Sequence, residues 1–319
     1  MGEDDVQRDP SEEGGDAPEL APSRVFVTGA SGFIGAHLVS HLTACGIGLR
    51  TFGRRPAPGA DRSVEHVTGD VRQDFRAAAV GCDSVVHLAG LPDASSSYEH
   101  AAEFAETNVL GTIRALDAAR QVGAAFILAS TMRVYRPSIR PLSEDAMVGP
   151  VDPYGESKLQ AESWAALYSR LYGVRCTSLR FFSVYGPGQV HGKSSGVVSI
   201  FLTAARSGRP LRVRTRQFRD FVDVRDVVRA IELAIRRPAE TYRTCNVGSG
   251  QSTSIAELGD LVRAVVGSTT PSILDMSPGA ESYVADTRKA QSDLGFAAQI
   301  ELRDGLVWYN RHLDAAGSR

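Results

Sequence analysis

The chain from Arg24 onwards alternates short apolar runs with longer amphipathic stretches. Short apolar runs bounded by polar or glycine residues predict buried strands, and five of them read RVFVT, LRTF, SVVHLAG, AAFILAS and RCTSLRFF. Between them, stretches such as FIGAHLVSHLTA and SKLQAESWAALYSRLYG repeat their apolar residues with the helical period of about 3.6. Because strands that alternate with helices build parallel sheets, the pattern predicts an α/β fold with a doubly wound parallel sheet.

The longest predicted helix begins near Tyr154, since Pro153 ends the preceding loop, and it continues to Gly173. After Gly186 the apolar spacing becomes less regular, which predicts loops and shorter elements. Helices are expected there at 197–206, 224–236, 255–266 and 303–313. We therefore expect a smaller C-terminal lobe beyond the main sheet.

The composition is that of an ordinary globular protein. Hydrophobic residues make up 43% and charged residues 23% of the 319 residues, which excludes collagen-like, coiled-coil and disulfide-rich classes. The formal net charge of -2 supplies no basic field, so neither nucleic acid nor a membrane surface is expected as a partner. No apolar stretch approaches the roughly 18 residues that a membrane helix needs.

The N-terminus differs from the rest of the chain. Residues 1–23 contain eight acidic residues and one arginine, with almost nothing apolar to pack, and predict a disordered tail. This tail lacks the pattern of a signal peptide, so a cytoplasmic location is expected. Cys45, Cys82, Cys176 and Cys245 are widely spaced, which suits core positions in a reducing compartment and predicts no metal site.

A glycine-rich loop follows the first strand and leads directly into a helix, with the sequence Thr28-Gly29-Ala30-Ser31-Gly32-Phe33-Ile34-Gly35-Ala36. Glycines at this spacing allow a tight turn, close approach of a pyrophosphate and close packing of helix on strand, while free amides at the helix start hold the anion. The loop predicts a dinucleotide site rather than an ordinary strand-to-helix turn. The residues expected to contact the cofactor there are Gly29, Ser31, Gly32, Phe33, Ile34 and Gly35.

The end of the second strand indicates which dinucleotide binds. An acidic residue about 20 positions after the loop would hold a ribose 2′-hydroxyl, whereas arginine would accept a 2′-phosphate. Here Arg54 and Arg55 follow the strand and no acid occurs before Asp61, which favours NADP(H) and leaves NAD possible. The alternative is that both arginines are merely solvated. Asp70 is expected to bond an adenine amino group, with Val71 beside the cofactor.

Tyr154 and Lys158 form a Tyr-x-x-x-Lys pair, which on a helix lies on one face one turn apart. Lys158 is one of three lysines in a chain that otherwise uses arginine, and a compact ammonium can tune a phenol in a way that a guanidinium cannot. A nearby ammonium together with an oxidised nicotinamide would lower the pKa of Tyr154 and make it a usable proton donor or acceptor. Thr131, at the end of the fifth strand, could present a hydroxyl to the same site, although for this residue taken alone capping or turn formation is the better explanation.

Together these residues resemble the extended short-chain dehydrogenase/reductase family, in its nucleotide-sugar epimerase/dehydratase branch. The resemblance covers nearly everything from Arg24 to Leu313. Further matching segments are HLAG at 87–90, NVLGT at 108–112, LRFFSVYGP at 179–187, RDFVDV at 219–224, NVG at 246–248 and LGF at 294–296. The resemblance implies a Rossmann-type NAD(P)-binding domain over 24–181, with contributions from about 220–250, and a mainly substrate-binding lobe over 182–319.

The resemblance also assigns expected roles. It implies that Thr131, Tyr154 and Lys158 are catalytic. It places Leu88, Ala89, Gly90 and Asn108 along the cofactor, and Ser183 and Arg219 against a nucleotide-sugar substrate, where a forked guanidinium suits a diphosphate. A homodimer through the helices at 102–119 and 154–171 is expected.

One departure from the family narrows the chemistry. Family dehydratases place an Asp-Glu pair after the catalytic threonine, and related decarboxylases keep a glutamate there. This chain has Met132 and Arg133, neither of which can act as that acid or base. Ser183 also replaces the usual asparagine.

Three functions remain open from the sequence. The first, which we favour at this point, is NADPH-dependent reduction of a keto group, C4 above all, of a nucleotide-linked 4-keto-6-deoxysugar. The second is an NAD-dependent nucleotide-sugar 4-epimerase, which removes and returns the hydride. The third is a non-catalytic NADP-binding sensor, which would need the glycine loop but not Thr131, Tyr154 and Lys158 together.

Overall fold

The computed structural model describes residues 24–189, 196–276 and 281–317, so the predicted tail over 1–23 lies outside the described residues. In chain order the strands are β1 (Arg24–Thr28), β2 (Gly48–Gly53), β3 (Glu65–Thr68), β4 (Ser84–His87), β5 (Ala125–Thr131), β6 (Cys176–Phe181), β7 (Ser183–Tyr185), β8 (Leu211–Arg214), β9 (Phe218–Arg219), β10 (Phe221–Asp223), β11 (Tyr242–Val247), β12 (Thr253–Ser254) and β13 (Ser272–Asp275). The helices are α1 (Phe33–Ala44), α2 (Ala94–Ser97), α3 (Ala101–Phe104), α4 (Gly111–Val122), α5 (Pro153–Tyr172), α6 (Val197–Arg206), α7 (Val224–Arg236), α8 (Ile255–Val266), α9 (Arg288–Leu294) and α10 (Leu302–Gly317). None of the helices within these ranges is long and apolar enough to cross a bilayer.

Within the described residues, seven strands form one parallel sheet in the order β11-β6-β5-β4-β1-β2-β3. The chain winds outwards from β1 through β2 to β3, and then returns to β4 on the other side of β1. In such sheets the carboxyl ends of the two strands at this reversal form a crevice that binds ligands. The structure thus has the Rossmann-type, doubly wound α/β fold that the sequence predicts.

Both faces of the central sheet are covered by helices. In β1, the side chains of Val25 and Val27 join a core with α1 and α7, whereas Phe26 joins a core with α4 and α5 on the opposite face. Successive side chains of a strand point to opposite faces, so a strand covered on both sides is apolar at nearly every position. This is why the sheet strands appear in the sequence as continuous apolar runs.

A smaller C-terminal lobe has its own core, in which α6, α8 and α10 contribute Phe201, Leu258 and Leu306. The bounds predicted for α6, α7 and α8 coincide with the observed ones, whereas α10 begins one residue earlier and ends four residues later than predicted. The short strands of the lobe were not predicted. They pair as β7 with β10, β8 with β13 and β9 with β12, between segments that are distant in the sequence, so no local period marks them.

The prediction for the cysteines is wrong at one position. Cys82, Cys176 and Cys245 are buried, as expected of core residues, but Cys45 is exposed. Cys45 follows the last residue of α1, beyond the helix face that packs on the sheet.

Candidate active site

The glycine loop connects β1 to α1 at the carboxyl edge of the sheet. Gly29 has a φ of +72°, and a Cβ built there would lie 2.5 Å from the backbone nitrogen of Ala89. A Cβ at Gly35 would overlap the carbonyl oxygen of Gly29. The Gly32 N–H donates to that same carbonyl at 3.0 Å, which closes the turn. Only glycine therefore lets this loop pass so close to the end of β4.

The start of α1 fits an anionic group. Its N-cap residue, Gly32, offers no side-chain cap, and the first turn contains no acidic residue. The first amides of a helix have no carbonyl partner within it and carry the positive end of the helix dipole. Ser31, Phe33 and Ile34 belong to this segment. The loop and the helix start together provide the positive helix end that suits an anionic group such as a pyrophosphate.

The loop after β4 forms the next part of the cleft, with Leu88, Ala89 and Gly90 all partly exposed. Asn108 is buried beside it, accepts from the Leu91 N–H at 2.8 Å and donates to the Ser157 hydroxyl at 2.9 Å. A Cβ at Gly90 would come within 2.8 Å of Asn108 Oδ1 and 3.3 Å of Lys158 Nζ. Asn108 thus fixes α5 against this loop.

The end of β2 presents two exposed guanidinium groups, Arg54 and Arg55, and neither pairs with any residue in the described part of the chain. Nearby, the Asp70 carboxylate accepts from Arg72 Nε at 3.0 Å and Nη2 at 2.8 Å. These bonds, with a smaller contribution from Arg54, lower the pKa of Asp70 to about 2. Val71 is buried behind it. The edge expected to bind the adenosine therefore combines a fixed carboxylate with two unpaired cations.

Tyr154 lies in the first turn of α5. Pro153 is the first residue of this helix and Asp152 is its N-cap, with Oδ1 accepting from the Gly155 N–H at 2.7 Å. A Cβ at Gly155 would overlap the carbonyl oxygen of Arg133. The helix start is consequently held tightly against the turn that follows β5.

The three residues predicted to be catalytic come together here. The Thr131 hydroxyl lies close enough to the Tyr154 phenol to lower its pKa. One turn further along α5, Lys158 is only 5% exposed and its Nζ donates to the Ala129 carbonyl at 3.0 Å. Burial lowers the pKa of Lys158 to about 8, although the Glu162 carboxylate opposes the shift.

The electrostatics of Tyr154 differ from the sequence expectation. Burial raises the pKa of Tyr154 above its ordinary value, and the bond to Thr131 and the charge of Arg133 lower it by less. The Lys158 ammonium, which was expected to lower this pKa, is bonded to the Ala129 carbonyl instead. The protein groups alone therefore favour a neutral phenol at Tyr154.

A buried ion pair lies behind the site and was not predicted. Glu162, on the inner face of α5, accepts from Arg180 Nη2 of β6 at 2.7 Å and from the Ser130 hydroxyl at 2.5 Å. Arg180 also donates to the Tyr135 hydroxyl at 2.8 Å. These bonds fix α5 to the carboxyl ends of β5 and β6. The sequence shows Glu162 and Arg180 only as polar residues within apolar runs, which does not reveal that they meet.

A cavity of about 320 Å³ borders the turn that follows Thr131. Both substrate residues predicted from the resemblance contribute to it. Its lining consists of Met132, Arg133, Ser183, Val184, Gln189, Gly196, Val197, Val198, Gln217, Arg219, Phe221 and Ile255. Arg219 is 8% exposed and donates to the carbonyl oxygens of Phe218 and Glu281. Burial first, and then the charge of Arg133, lower the pKa of Arg219 to about 10.

The sequence analysis did not identify Asp152. It considered Arg133 only as a residue that cannot act as the acid or base of a dehydratase. Asp152 Oδ2 accepts from Arg133 Nη1 at 2.6 Å, so the helix cap and the cavity wall are directly connected. An Asp-Pro pair before a helical pattern is a recognised N-terminal signal and could have identified Asp152. No local signal marks its pairing with Arg133.

Comparison with known proteins places this chain in a family. The family model described as "NAD dependent epimerase/dehydratase family" matches residues 25–248. A UDP-glucose 4-epimerase of Mycolicibacterium smegmatis is 31% identical, with 89% of this chain and 96% of the relative covered. A dTDP-glucose 4,6-dehydratase of Streptomyces griseus is also 31% identical, covering 91% of this chain and 95% of the relative. The solved structure of MoeE5 in complex with UDP-glucuronic acid and NAD has a TM-score of 0.85 and 33% identity, covering 92% of this chain and 99% of that one. The chain therefore belongs to the NAD dependent epimerase/dehydratase family and is an NAD(P)-dependent enzyme of the extended short-chain dehydrogenase/reductase type.

Proposed function

We propose that this protein is a nucleotide-sugar 4-epimerase that acts on a UDP-linked sugar and retains NAD through the reaction cycle. The observation that carries the proposal is the Thr131 hydroxyl close enough to the Tyr154 phenol to lower its pKa, with a buried Lys158 one helical turn away. Relatives of comparable identity include a UDP-glucose 4-epimerase, and the MoeE5 complexes contain NAD with UDP-glucuronic acid or UDP-glucose. This proposal takes the second of the three functions above in preference to the first.

In this proposal Tyr154 removes the proton from the sugar 4-hydroxyl and later returns it. NAD, when bound, supplies the hydride acceptor and a positive charge that favours loss of the Tyr154 proton. The Thr131 hydroxyl holds the 4-oxygen in line with Tyr154. Lys158 holds the ribose of the cofactor with the ammonium that donates to the Ala129 carbonyl in this structure. The 4-keto sugar would turn over within the cavity, so that C4 would receive the hydride on its opposite face while Tyr154 would return the proton to the 4-oxygen.

The cofactor is proposed to lie over the carboxyl ends of the central sheet, in the domain formed by 24–181 with contributions from about 220–250. The nucleotide-sugar is proposed to occupy the cavity between that domain and the lobe formed by 182–319. In this arrangement Arg219 holds the diphosphate, for which a forked guanidinium is well suited, and Ser183 contacts the sugar. Gly29, Ser31, Gly32, Phe33, Ile34 and Gly35 hold the pyrophosphate, and Leu88, Ala89, Gly90 and Asn108 line the nicotinamide half.

Elimination of water is not part of the proposal. A 4,6-dehydratase needs an acid at the departing 6-hydroxyl and a base at C5. Met132 offers a thioether, and Arg133 has its pKa raised by Asp152 and Glu281, so neither exchanges a proton near neutral pH.

A second candidate is the NADPH-dependent ketoreductase, and Arg54 and Arg55 favour it. Both side chains are exposed and have no partner among the described residues. They lie at the end of β2, where the 2′-phosphate of NADPH would need positive charge. The third hypothesis, a non-catalytic sensor, has no support now that the family and the quoted relatives are enzymes.

The deciding experiment identifies the dinucleotide that co-purifies and then follows the sugar and the absorbance at 340 nm together. An epimerase is expected to release NAD on denaturation and to interconvert the 4-epimers of a UDP-sugar without net change at 340 nm. Stoichiometric consumption of added NADPH with a 4-ketosugar, and no epimerisation, would instead establish the reductase. Arg54→Asp provides the matched test, because it should reduce the affinity for NADPH without reducing the affinity for NAD.

We also propose that the protein is a homodimer through α4 and α5. Exposed apolar side chains lie at the start of α4 and along α5, namely Leu110 at 45%, Trp164 at 37% and Leu171 at 58%. Light scattering should give twice the chain mass, and Trp164→Glu should reduce it to the monomer. Ile139→Glu, at a position that is also exposed but lies outside these helices, is the control.

A further inference from the structure

Arg133 lies beside the predicted reaction centre. It follows Thr131 by two residues, in the short helical turn Met132–Val134, and its backbone N–H donates to the Thr131 hydroxyl at 3.3 Å. Its side chain lines the same cavity as Ser183 and Arg219. A substrate atom held by Thr131 therefore has Arg133 as a close neighbour.

The guanidinium of Arg133 retains unused donors. Nη1 donates to Asp152 at 2.6 Å and lies 3.5 Å from a carboxylate oxygen of Glu281. A guanidinium carries five N–H donors, and those on Nε and Nη2 have no partner within the described ranges. The side chain is 26% exposed, so these donors are accessible to a ligand. The ion pair with Asp152 thus orients Arg133 without saturating it.

Two guanidinium groups line the cavity, and one of them, Arg133, is ion-paired with Asp152. Among its described lining residues, both charged side chains are arginines, Arg133 and Arg219, and no carboxylate is included. Their mutual repulsion contributes to the lowered pKa of Arg219. Among the described residues Arg219 donates only to backbone carbonyls, and it is assigned to the diphosphate. Arg133 is ion-paired with Asp152 through Nη1, but the N–H groups on Nε and Nη2 form a fork that suits a carboxylate close to Thr131.

We infer that Arg133 determines specificity for a hexuronic acid, by pairing with the 6-carboxylate of a UDP-linked sugar. This inference rests on the proposed function, which places the 4-oxygen against Thr131 and Tyr154. The groups next to C4 on the ring are the 3-hydroxyl and, through C5, the C6 substituent. Of these, only C6 carries an anion in a simple hexose derivative, and a carboxylate matches the fork of a guanidinium.

The same contact preserves the carboxylate during the reaction. A 4-keto sugar with a 6-carboxylate is a β-keto acid, which loses carbon dioxide when the C5–C6 bond breaks and its electron pair passes towards the C4 oxygen. That step requires negative charge to leave the carboxylate. Arg133 stabilises the charge where it is, so the ion pair opposes decarboxylation and favours return of the intact uronic acid.

Binding measurements test the inference. The affinities of the protein for UDP, UDP-glucose and UDP-glucuronic acid are measured by titration calorimetry. We expect the parent protein to bind UDP-glucuronic acid more tightly than UDP-glucose, on the order of 10-fold or more. Arg133→Gln should remove most of this ratio. Arg133→Lys keeps a positive charge for Asp152 but lacks the forked guanidinium, so this variant should retain part of the affinity ratio. Arg136→Gln removes an exposed arginine three residues away and should leave the ratio unchanged.

Several outcomes would overturn the inference. A ratio that survives Arg133→Gln and Arg133→Lys, with the thermal midpoints confirming that both variants are folded, excludes a contact with C6. An equal loss for UDP, UDP-glucose and UDP-glucuronic acid assigns Arg133 to the diphosphate. Epimerisation of UDP-glucose with no preference for the uronic acid overturns the inference but leaves the proposed function intact. A binding preference that depends on Arg133, without any change at C4 of either sugar, overturns only the proposed function.

Discussion

The carboxylate of Asp152 connects the first turn of α5 to Arg133. One oxygen accepts from the Gly155 N–H at 2.7 Å and the other from Arg133 Nη1 at 2.6 Å. A single buried side chain therefore caps the helix that carries Tyr154 and orients a guanidinium in the cavity wall. Helix position and cavity shape are coupled through it.

Two substitutions at Asp152 distinguish its role as the cap of α5 from its role as the ion-pair partner of Arg133. Asp152→Ala removes the cap and the ion pair, and we expect the free energy of unfolding to fall by about 1–3 kcal/mol. Asp152→Asn keeps an oxygen for the Gly155 N–H and should cost less. Denaturant titration measures both, with Asp145→Ala as an exposed control. Equal losses for the alanine and asparagine variants would show that the cap does not contribute.

Tyr154→Phe tests the proton transfer. The ring remains while the transferable proton is lost, so we expect kcat with a UDP-sugar to fall on the order of 10²-fold or more. The amount of dinucleotide that co-purifies should not change. Tyr172→Phe, at an exposed position at the end of the same helix, should keep the parent rate. Turnover by Tyr154→Phe at the parent rate would remove Tyr154 from the mechanism.

Gly29 and Gly46 form a matched pair for testing the dinucleotide loop. Both have positive φ, +72° and +73°, but a Cβ at Gly29 would meet the backbone of Ala89, whereas one at Gly46 meets nothing within 4 Å. Gly46→Ala should cost only the backbone strain, about 1 kcal/mol. Gly29→Ala should cost at least about 1 kcal/mol more because backbone must shift, and should abolish dinucleotide binding. Similar midpoints and similar binding in the two variants would contradict the close approach.

His87 predicts a loss of stability in acid. It is fully buried beside Thr28, with Oγ1 and Nδ1 2.8 Å apart, and burial lowers its pKa from 6.5 to about 3. Between these two values the unfolded chain binds a proton that the folded chain does not, so stability falls as the pH falls from 6.5 towards 3. The contribution reaches up to about 1.4 kcal/mol for each pH unit in that window.

His87→Asn should flatten this part of the pH profile, because it removes the titrating group while keeping a polar partner for Thr28. His100→Asn removes an exposed histidine and should leave the profile as it is in the parent. Unfolding titrations at intervals from pH 7 to pH 4 compare the three proteins. Parallel profiles for the parent and His87→Asn would contradict the burial effect.

Local pattern determined much of this protein. The apolar runs predict the sheet because a strand buried on both faces must be apolar throughout, and the bounds of α6, α7 and α8 follow from helical spacing and its end signals. The glycine loop and the Tyr154–Lys158 spacing follow from backbone sterics and helix geometry, which act within a few residues. These features identify the family and the fold before any tertiary contact is known.

Tertiary structure decided what depends on groups that are distant in the sequence. The strand pairs of the lobe, the Glu162–Arg180 ion pair and the bond between Asp152 and Arg133 join segments whose approach no local period encodes. The pKa of Tyr154 also depends on folding, since burial opposes the phenolate and Lys158 donates to the Ala129 carbonyl. Residue type and spacing fix which side chains are available, but their partners and their solvation, and hence their charges, are set only when the chain encloses them.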